Sequence, residues 1–304
     1  MNKYALMVLG GAMSFGILTS FVKLAYNRGF NAAEISFIQA FLGAVVLWVI
    51  VCLSKRNPVK RIELPKLLFT GAAIGISTFL YYVSVKYIPA SVAIVILMQF
   101  TWLSLLIEWI IFKKQPTVLE ITITIIILLG TMFASGLATQ QDVTLSILGV
   151  LYVSAASLIY AVYIVANSRF GKQISWKNKS AWVMTGSAIS ILLLNFATLV
   201  SDNHFGMELL GWGFFLAFFG TILPPVLFAI GMPKIGAPTS GLLMTVELPV
   251  AILAAHLILG ENISIKQLIG ITVMLSAIIW MNFVKQNRLK NNLQNSSSSD
   301  QAIL

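Results

Sequence analysis

Glu247 lies about halfway along an apolar segment, Ala237 to Leu259, that contains Pro249 but no Lys or Arg. A carboxylate at the centre of a bilayer costs about 2.5–3.5 kcal/mol on insertion scales. Such a group can bind a substrate amine, carry a coupling proton, or hold its helix to a neighbouring hydroxyl. Proton chemistry is open to it because a carboxylate withdrawn from water without a cation partner favours its neutral form. Five other side chains have the type and placement to line a site with it. Gln99 and Gln39 each sit inside an apolar segment and bring two donors and one acceptor. Trp102 follows Gln99 by three residues, on the same helical face, where it can wall a flat or cationic ligand. Tyr82 belongs to the pair Tyr81 and Tyr82, and Tyr160 to the pair Tyr160 and Tyr163; one residue of each pair is expected to face the other helices. Plainer readings stand beside these. Glutamines join helices in membranes, tryptophans and tyrosines face lipid or form interfacial belts, and Glu247 can be structural.

Other chemistries find no support. There is no His-Glu-x-x-His, no phosphate-binding Gly-x-x-x-x-Gly-Lys-Ser/Thr loop and no Cys/His cluster, so no catalytic motif, metal site or cofactor is expected. The single Cys52 excludes an internal disulfide. A net charge of +10 could signal nucleic acid, but the basic residues are confined to short loops between apolar runs, a signature of topology instead.

These side chains must be positioned by helices that cross a membrane. Of 304 residues, 58% are hydrophobic and 10% charged, against about 25% charged in soluble domains; the mean hydropathy is +0.91. Ten segments reach the ~20 residues a spanning helix needs, near 4–26, 31–53, 64–86, 89–112, 118–138, 145–167, 178–200, 208–231, 237–259 and 264–284. The amino-terminal run reads as an uncleaved first helix. The polar stretch from 285 onward reads as a disordered tail. Gly71-Ala-Ala-Ile-Gly75 is a close-packing element of the third span. Pro224-Pro225 removes two backbone donors from the eighth and should kink it. Glu108 sits beside Lys113 and Lys114 and is expected to snorkel or pair.

Orientation follows from the loops. With the amino terminus inside, only Lys23, Arg28, Lys86 and Lys266 of the 20 Lys and Arg residues fall outside. The positive-inside rule therefore places both termini in the cytoplasm, with the inner membrane of a bacterium as the expected location.

The chain also looks duplicated. Residues 87–133 lie on 234–280 without gaps at an offset of 147, so that Ile88-Pro-Ala90 meets Ile235-Gly-Ala237 and Phe100 meets Glu247. The expected units are 1–138, 145–284 and the tail 285–304. Five spans per half force opposite insertion of the halves, an architecture of transporters with a midplane site.

At this point the motifs resemble a family. Glu247-Leu-Pro249, then Leu259-Gly-Glu261 and Gly270, are similar to the Glu-Pro, Gly-Glu and Gly pattern of EamA-type members of the drug/metabolite transporter superfamily. Gly130 fits the second family glycine in the first half, while Gln99-Phe-Thr-Trp102 and Lys113-Lys114 depart from the pattern, and Gln39 stands where relatives carry a Phe-Arg-like element. The resemblance implies an all-α fold of ten helices in two inverted five-helix repeats. It implies a secondary transporter, read here as an exporter of small metabolites or drug-like compounds working by alternating access, with protons as a coupling ion. An uptake carrier or exchanger of the same fold, and a non-transporting membrane scaffold, are the alternatives.

Overall fold

The computed structural model describes residues 2–54, 59–134, 146–201, 204, 206–260 and 262–301. Their regular elements are helical throughout. The first half contains α1 (Lys3–Asn27), α2 (Ala32–Cys52), α3 (Leu64–Ser84), α4 (Ala90–Leu97), α5 (Phe100–Phe112) and α6 (Val118–Ala134). The second contains α7 (Ile147–Arg169), α8 (Trp176–Ser201), α9 (Met207–Ala217), α10 (Leu223–Ile235), α11 (Ala237–Met244), α12 (Glu247–Leu259) and α13 (Ile265–Gln301). Among the described residues, nine helical stretches are long and apolar enough to cross a membrane, and α6 is a shorter tenth. The protein is an all-α membrane protein with ten transmembrane helices in two inverted repeats of five.

The offset read from sequence coincides with the helix boundaries. α4, α5 and α6 start at Ala90, Phe100 and Val118, and α11, α12 and α13 at Ala237, Glu247 and Ile265, which is 147 in each case. The terminators match too. Lys113 and Gly260 both end their helices in the left-handed region, at φ 54° and 70°, and Lys113 adopts it although it is not glycine. The next helices open with the same reciprocal cap. Thr117 and Glu120 exchange backbone-to-side-chain hydrogen bonds of 3.0 and 3.3 Å, and Ser264 and Gln267 do so at 2.9 and 3.2 Å. Nearer the front of each half, the starts of α1 and α7, and of α2 and α8, are both offset by 144.

Packing obeys the same symmetry. α3 lies on α7 as α10 lies on α1, and α4 and α5 meet α7 as α11 and α12 meet α1; α2 with α8, and α6 with α13, join helices to their own counterparts. Close approach is set by glycine. A Cβ on Gly71 would fall 2.8 Å from the Val183 carbonyl carbon, and one on Gly75 2.7 Å from Ser187 Oγ, so the GxxxG face seats α3 on α8. Gly130 and Gly270 perform the same office where α6 crosses α13: a Cβ on Gly130 would come within 2.7 Å of Met274.

Three sequence features take a definite form. The fourth and ninth spans are each divided by a tightened turn, at Met98–Gln99 and Thr245–Val246, where Gln99 N–H donates to Ile96 (3.1 Å) and Val246 N–H to Leu243 (3.3 Å) in 3₁₀ fashion. Phe100 and Glu247 thereby begin the second half of each span. The disruption expected at Pro224-Pro225 takes the form of a π-helical turn between α9 and α10. That turn, at Phe218–Ile222, precedes the pair and absorbs the misfit. Finally, α13 runs through Gln301, past residue 285, where the polar stretch begins.

Candidate functional site

The site lies where the two repeats meet. Phe15, Leu18 and Thr19 of α1, Gln39 of α2, Ser77, Thr78, Tyr81 and Tyr82 of α3, Tyr160 of α7 and Glu247 of α12 surround one cavity, with Ile74 and Leu97 completing the wall. About 40 Å³ of it is open to the centre of a water molecule. One water needs roughly 10–15 Å³, so the cavity can hold several.

Glu247 is 5% exposed and is the one charged residue in this lining. The Tyr160 hydroxyl reaches it at 3.5 Å. Tyr160 is itself fixed by rings: Phe100 stands edge-on at 4.9 Å and Tyr163 lies parallel at 6.0 Å. Phe100, the counterpart of Glu247 in the other repeat, thus positions the hydroxyl that serves Glu247. Sequence pairing of these two positions finds its physical content here.

Gln39 is held from both sides. Thr221 Oγ1, in the π-helical turn, donates to its backbone carbonyl at 2.7 Å, and the Tyr82 hydroxyl donates to its side-chain oxygen at 3.2 Å. Gly220 leaves the space that the Gln39 amide fills; a Cβ there would meet the amide carbon at 3.1 Å. The π-turn that accommodates Pro224-Pro225 is therefore also what seats Gln39. Tyr82 is anchored in turn, since the Tyr26 hydroxyl donates to its carbonyl at 2.8 Å.

Tyr81 is the unexpected member. Both residues of the Tyr81–Tyr82 pair line the cavity rather than one. Among the described residues, the Tyr81 hydroxyl is the buried side-chain polar atom without a hydrogen-bond partner, although Thr19 lines the same wall. An unsatisfied buried hydroxyl costs about 1–3 kcal/mol, which suits a group that a ligand or water completes.

The structure brings Glu247, Gln39, Tyr82 and Tyr160 together and leaves two expected residues out. Trp102 is 40% exposed, and its indole N–H donates to Gln99 at 2.8 Å. The two satisfy one another at the start of α5, Gln99 from the turn before it, and are absent from the cavity wall. They share a helical face as expected, but that face looks away from the other helices. Trp102→Ala is accordingly expected to leave ligand binding within about twofold of the parent, measured by ligand-induced thermal shift; a tenfold loss would return Trp102 to the cavity. Sequence reasoning also passed over Thr19, Ser77 and Thr78. Hydroxyls are common in membrane helices and carry no positional signal.

Among the described residues no group of three His, Cys, Asp or Glu side chains could hold a metal. A single buried carboxylate among tyrosine hydroxyls, amides and rings offers a cation a partner and an uncharged donor several acceptors. It offers an anion no counter-charge.

Sequence comparison converges on the same architecture. The profile of the EamA-like transporter family matches residues 2–136 and again residues 147–283. The chain belongs to the EamA-like transporter family. Its similarity extends to the threonine/homoserine exporter RhtA of Escherichia coli K12, 25% identical over 253 residues that cover 81% of this chain and 80% of that one. An uncharacterized transporter of Bacillus subtilis strain 168, YcbK, is 22% identical over 91% of this chain and 92% of its own. A crystal structure with 15% sequence identity superposes at a TM-score of 0.69 over 92% of this chain and 98% of its own, a likeness that shows the fold. This EamA-like protein is thus a membrane transporter with a small-molecule substrate, related to transporters rather than to enzymes.

Proposed function

We propose that the protein is a secondary exporter of small metabolites bearing an amine, and that the amine and a proton take turns on Glu247. The observation that carries this reading is the lone carboxylate in a cavity without a basic lining residue. A bare carboxylate at this depth is costly, so a cation accompanies it in every state: a proton when the cavity is empty, the substrate's ammonium group when it is occupied. Release of the amine outside and uptake of a proton there would let the proton gradient drive export. The name of the Escherichia coli relative, a threonine/homoserine exporter, supports amino acids as the first substrates to try. Two inverted repeats around one midplane site support alternating access as the mechanism.

The distribution of basic residues among the loops supports an orientation in a bacterial inner membrane with both termini on the cytoplasmic side. Reporter fusions after Lys114 and Lys177 should read cytoplasmic and those after Asn27 and Asn262 external; the reverse pattern at Lys177 would overturn this orientation.

Purified protein in liposomes, loaded with labelled threonine or homoserine and given an imposed pH gradient, tests the function. Counterflow of substrate against protons is the expected result. Flux that is absent for amines and unaffected by the gradient would overturn the proposal. Competition for one carboxylate also fixes a sign: substrate affinity falls as pH falls, by at most about tenfold per pH unit for a single proton.

A further inference from the structure

Thr19 borders two cavities. Besides the central one it lines a second pocket, which runs past Lys23 of α1 and Ile94 of α4 to Ala255 and Leu259 of α12 and Gln267 of α13. It leads to the external end in the topology proposed above.

The inverted repeat gives each of these six residues a counterpart. At the helix offsets of 144 and 147 described above, Thr19 and Lys23 correspond to Tyr163 and Asn167, and Ile94 to Gly241. Ala255, Leu259 and Gln267 correspond to Glu108, Phe112 and Glu120. The counterparts gather toward the opposite end, where all but Phe112 are buried. Glu108, Glu120, Tyr163 and Asn167 are each 6% exposed or less, whereas Thr19, Lys23, Ala255, Leu259 and Gln267 are all partly open.

Specific contacts close this end. Arg169 grips Glu108 with two guanidinium N–H groups, the Nε one at 3.2 Å, and lies 4.5 Å over the ring of Phe112. Lys285 donates to Glu120 at 3.0 Å and to Thr239 at 2.5 Å. Where the open route has the small Ala255, the shut one has a carboxylate bound to a fork-shaped cation. Arg169 keeps 27% of its side chain exposed and Glu108 only 2%, so water can reach the pair from one side and replace it when the helices part.

We propose that Glu108, Phe112 and Arg169 form the inner gate of the transporter, and that Tyr163, Asn167 and Gly241 line a closed route from this gate to Glu247, the image of the open outer route. This rests on the transport reading and adds the path and its latch. When the repeats exchange conformations, the pair separates and the outer route closes in its place.

Cysteine accessibility tests it. The exposed Cys52 is replaced by Ser, and Ser104→Cys reports the inner route while Ala255→Cys reports the outer one. Ser104 is fully buried, next to Gly241. A membrane-impermeant thiol reagent is applied to right-side-out and inside-out vesicles. Ala255→Cys should react from outside, and Ser104→Cys should be protected from both sides. Adding Glu108→Gln with Arg169→Gln removes the latch without stranding a charge. Labelling of Ser104→Cys from the inside should then rise by about tenfold or more, as expected for a shift between two states of similar stability. An unchanged rate in the folded double variant would overturn the gate. If that variant does not fold, Arg169→Lys keeps the charge and loses the fork, and no rise with it would overturn the gate equally. Reaction of Ala255→Cys only from the inside would overturn the topology, and correct labelling without amine flux would overturn the amine as substrate while leaving the gate intact.

Discussion

Glu247→Gln is expected to fold, insert and reach wild-type yield, yet to lose substrate accumulation driven by a pH gradient. The amide matches the carboxylate in size and still accepts from the Tyr160 hydroxyl at the position where that bond is now 3.5 Å. What it lacks is charge and a titratable proton. A hydrogen bond to a charged partner is worth about 1.5–3 kcal/mol, so affinity for an amine substrate should fall by roughly 10- to 100-fold. Binding isotherms and driven flux in liposomes, measured across pH 5 to 8, check both losses. Wild-type gradient dependence in the Gln variant would remove Glu247 from coupling, and wild-type affinity would remove it from recognition.

Gly71→Val should abolish folded protein outright. The added Cβ would fall 2.8 Å from the Val183 carbonyl carbon and 2.9 Å from the Ser187 amide nitrogen. These are backbone atoms that no side-chain rotation can move aside. α3 and α8 would have to separate along a crossing that supports Tyr81 and Tyr82, about three turns further along α3. Overpacking costs about 1–3 kcal/mol where side chains can yield, and a backbone collision exceeds that. Gly211→Val is the control, since nothing lies within 4 Å of a Cβ at that position. Monodisperse protein recovered in detergent should vanish for Gly71→Val and persist for Gly211→Val.

How far the residues announced this structure depends on the kind of signal each carried. Glu247 was legible as a cavity residue because one charge in an apolar segment is costly and stands out. The repeat was legible at an offset of 147 because turn and cap residues, such as Ile88-Pro-Ala90 and Ile235-Gly-Ala237, mark helix starts independently of apolar content. Gln99 and Trp102 were expected in the cavity because spacing shows which residues share a face but not where that face points; the buried side of α5 carries Thr101, Ser104 and Glu108 instead. Glu108 was read with its near neighbours Lys113 and Lys114, while its partner, Arg169, is 61 residues away. Long-range pairing of that kind is set by tertiary packing and leaves no trace in local order. The same holds for Tyr81, whose hydroxyl faces a wall assembled from other helices, with Thr19 of α1 beside it.

The proposed exchange of a proton for an amine at Glu247 is open to one direct measurement. Purified protein in weakly buffered detergent solution is mixed with threonine or homoserine while pH and heat are recorded together. Binding should release close to one proton per occupied site near neutral pH, with no release from the Glu247→Gln variant. Binding of these amines without proton release, or release that survives Glu247→Gln, would contradict the account.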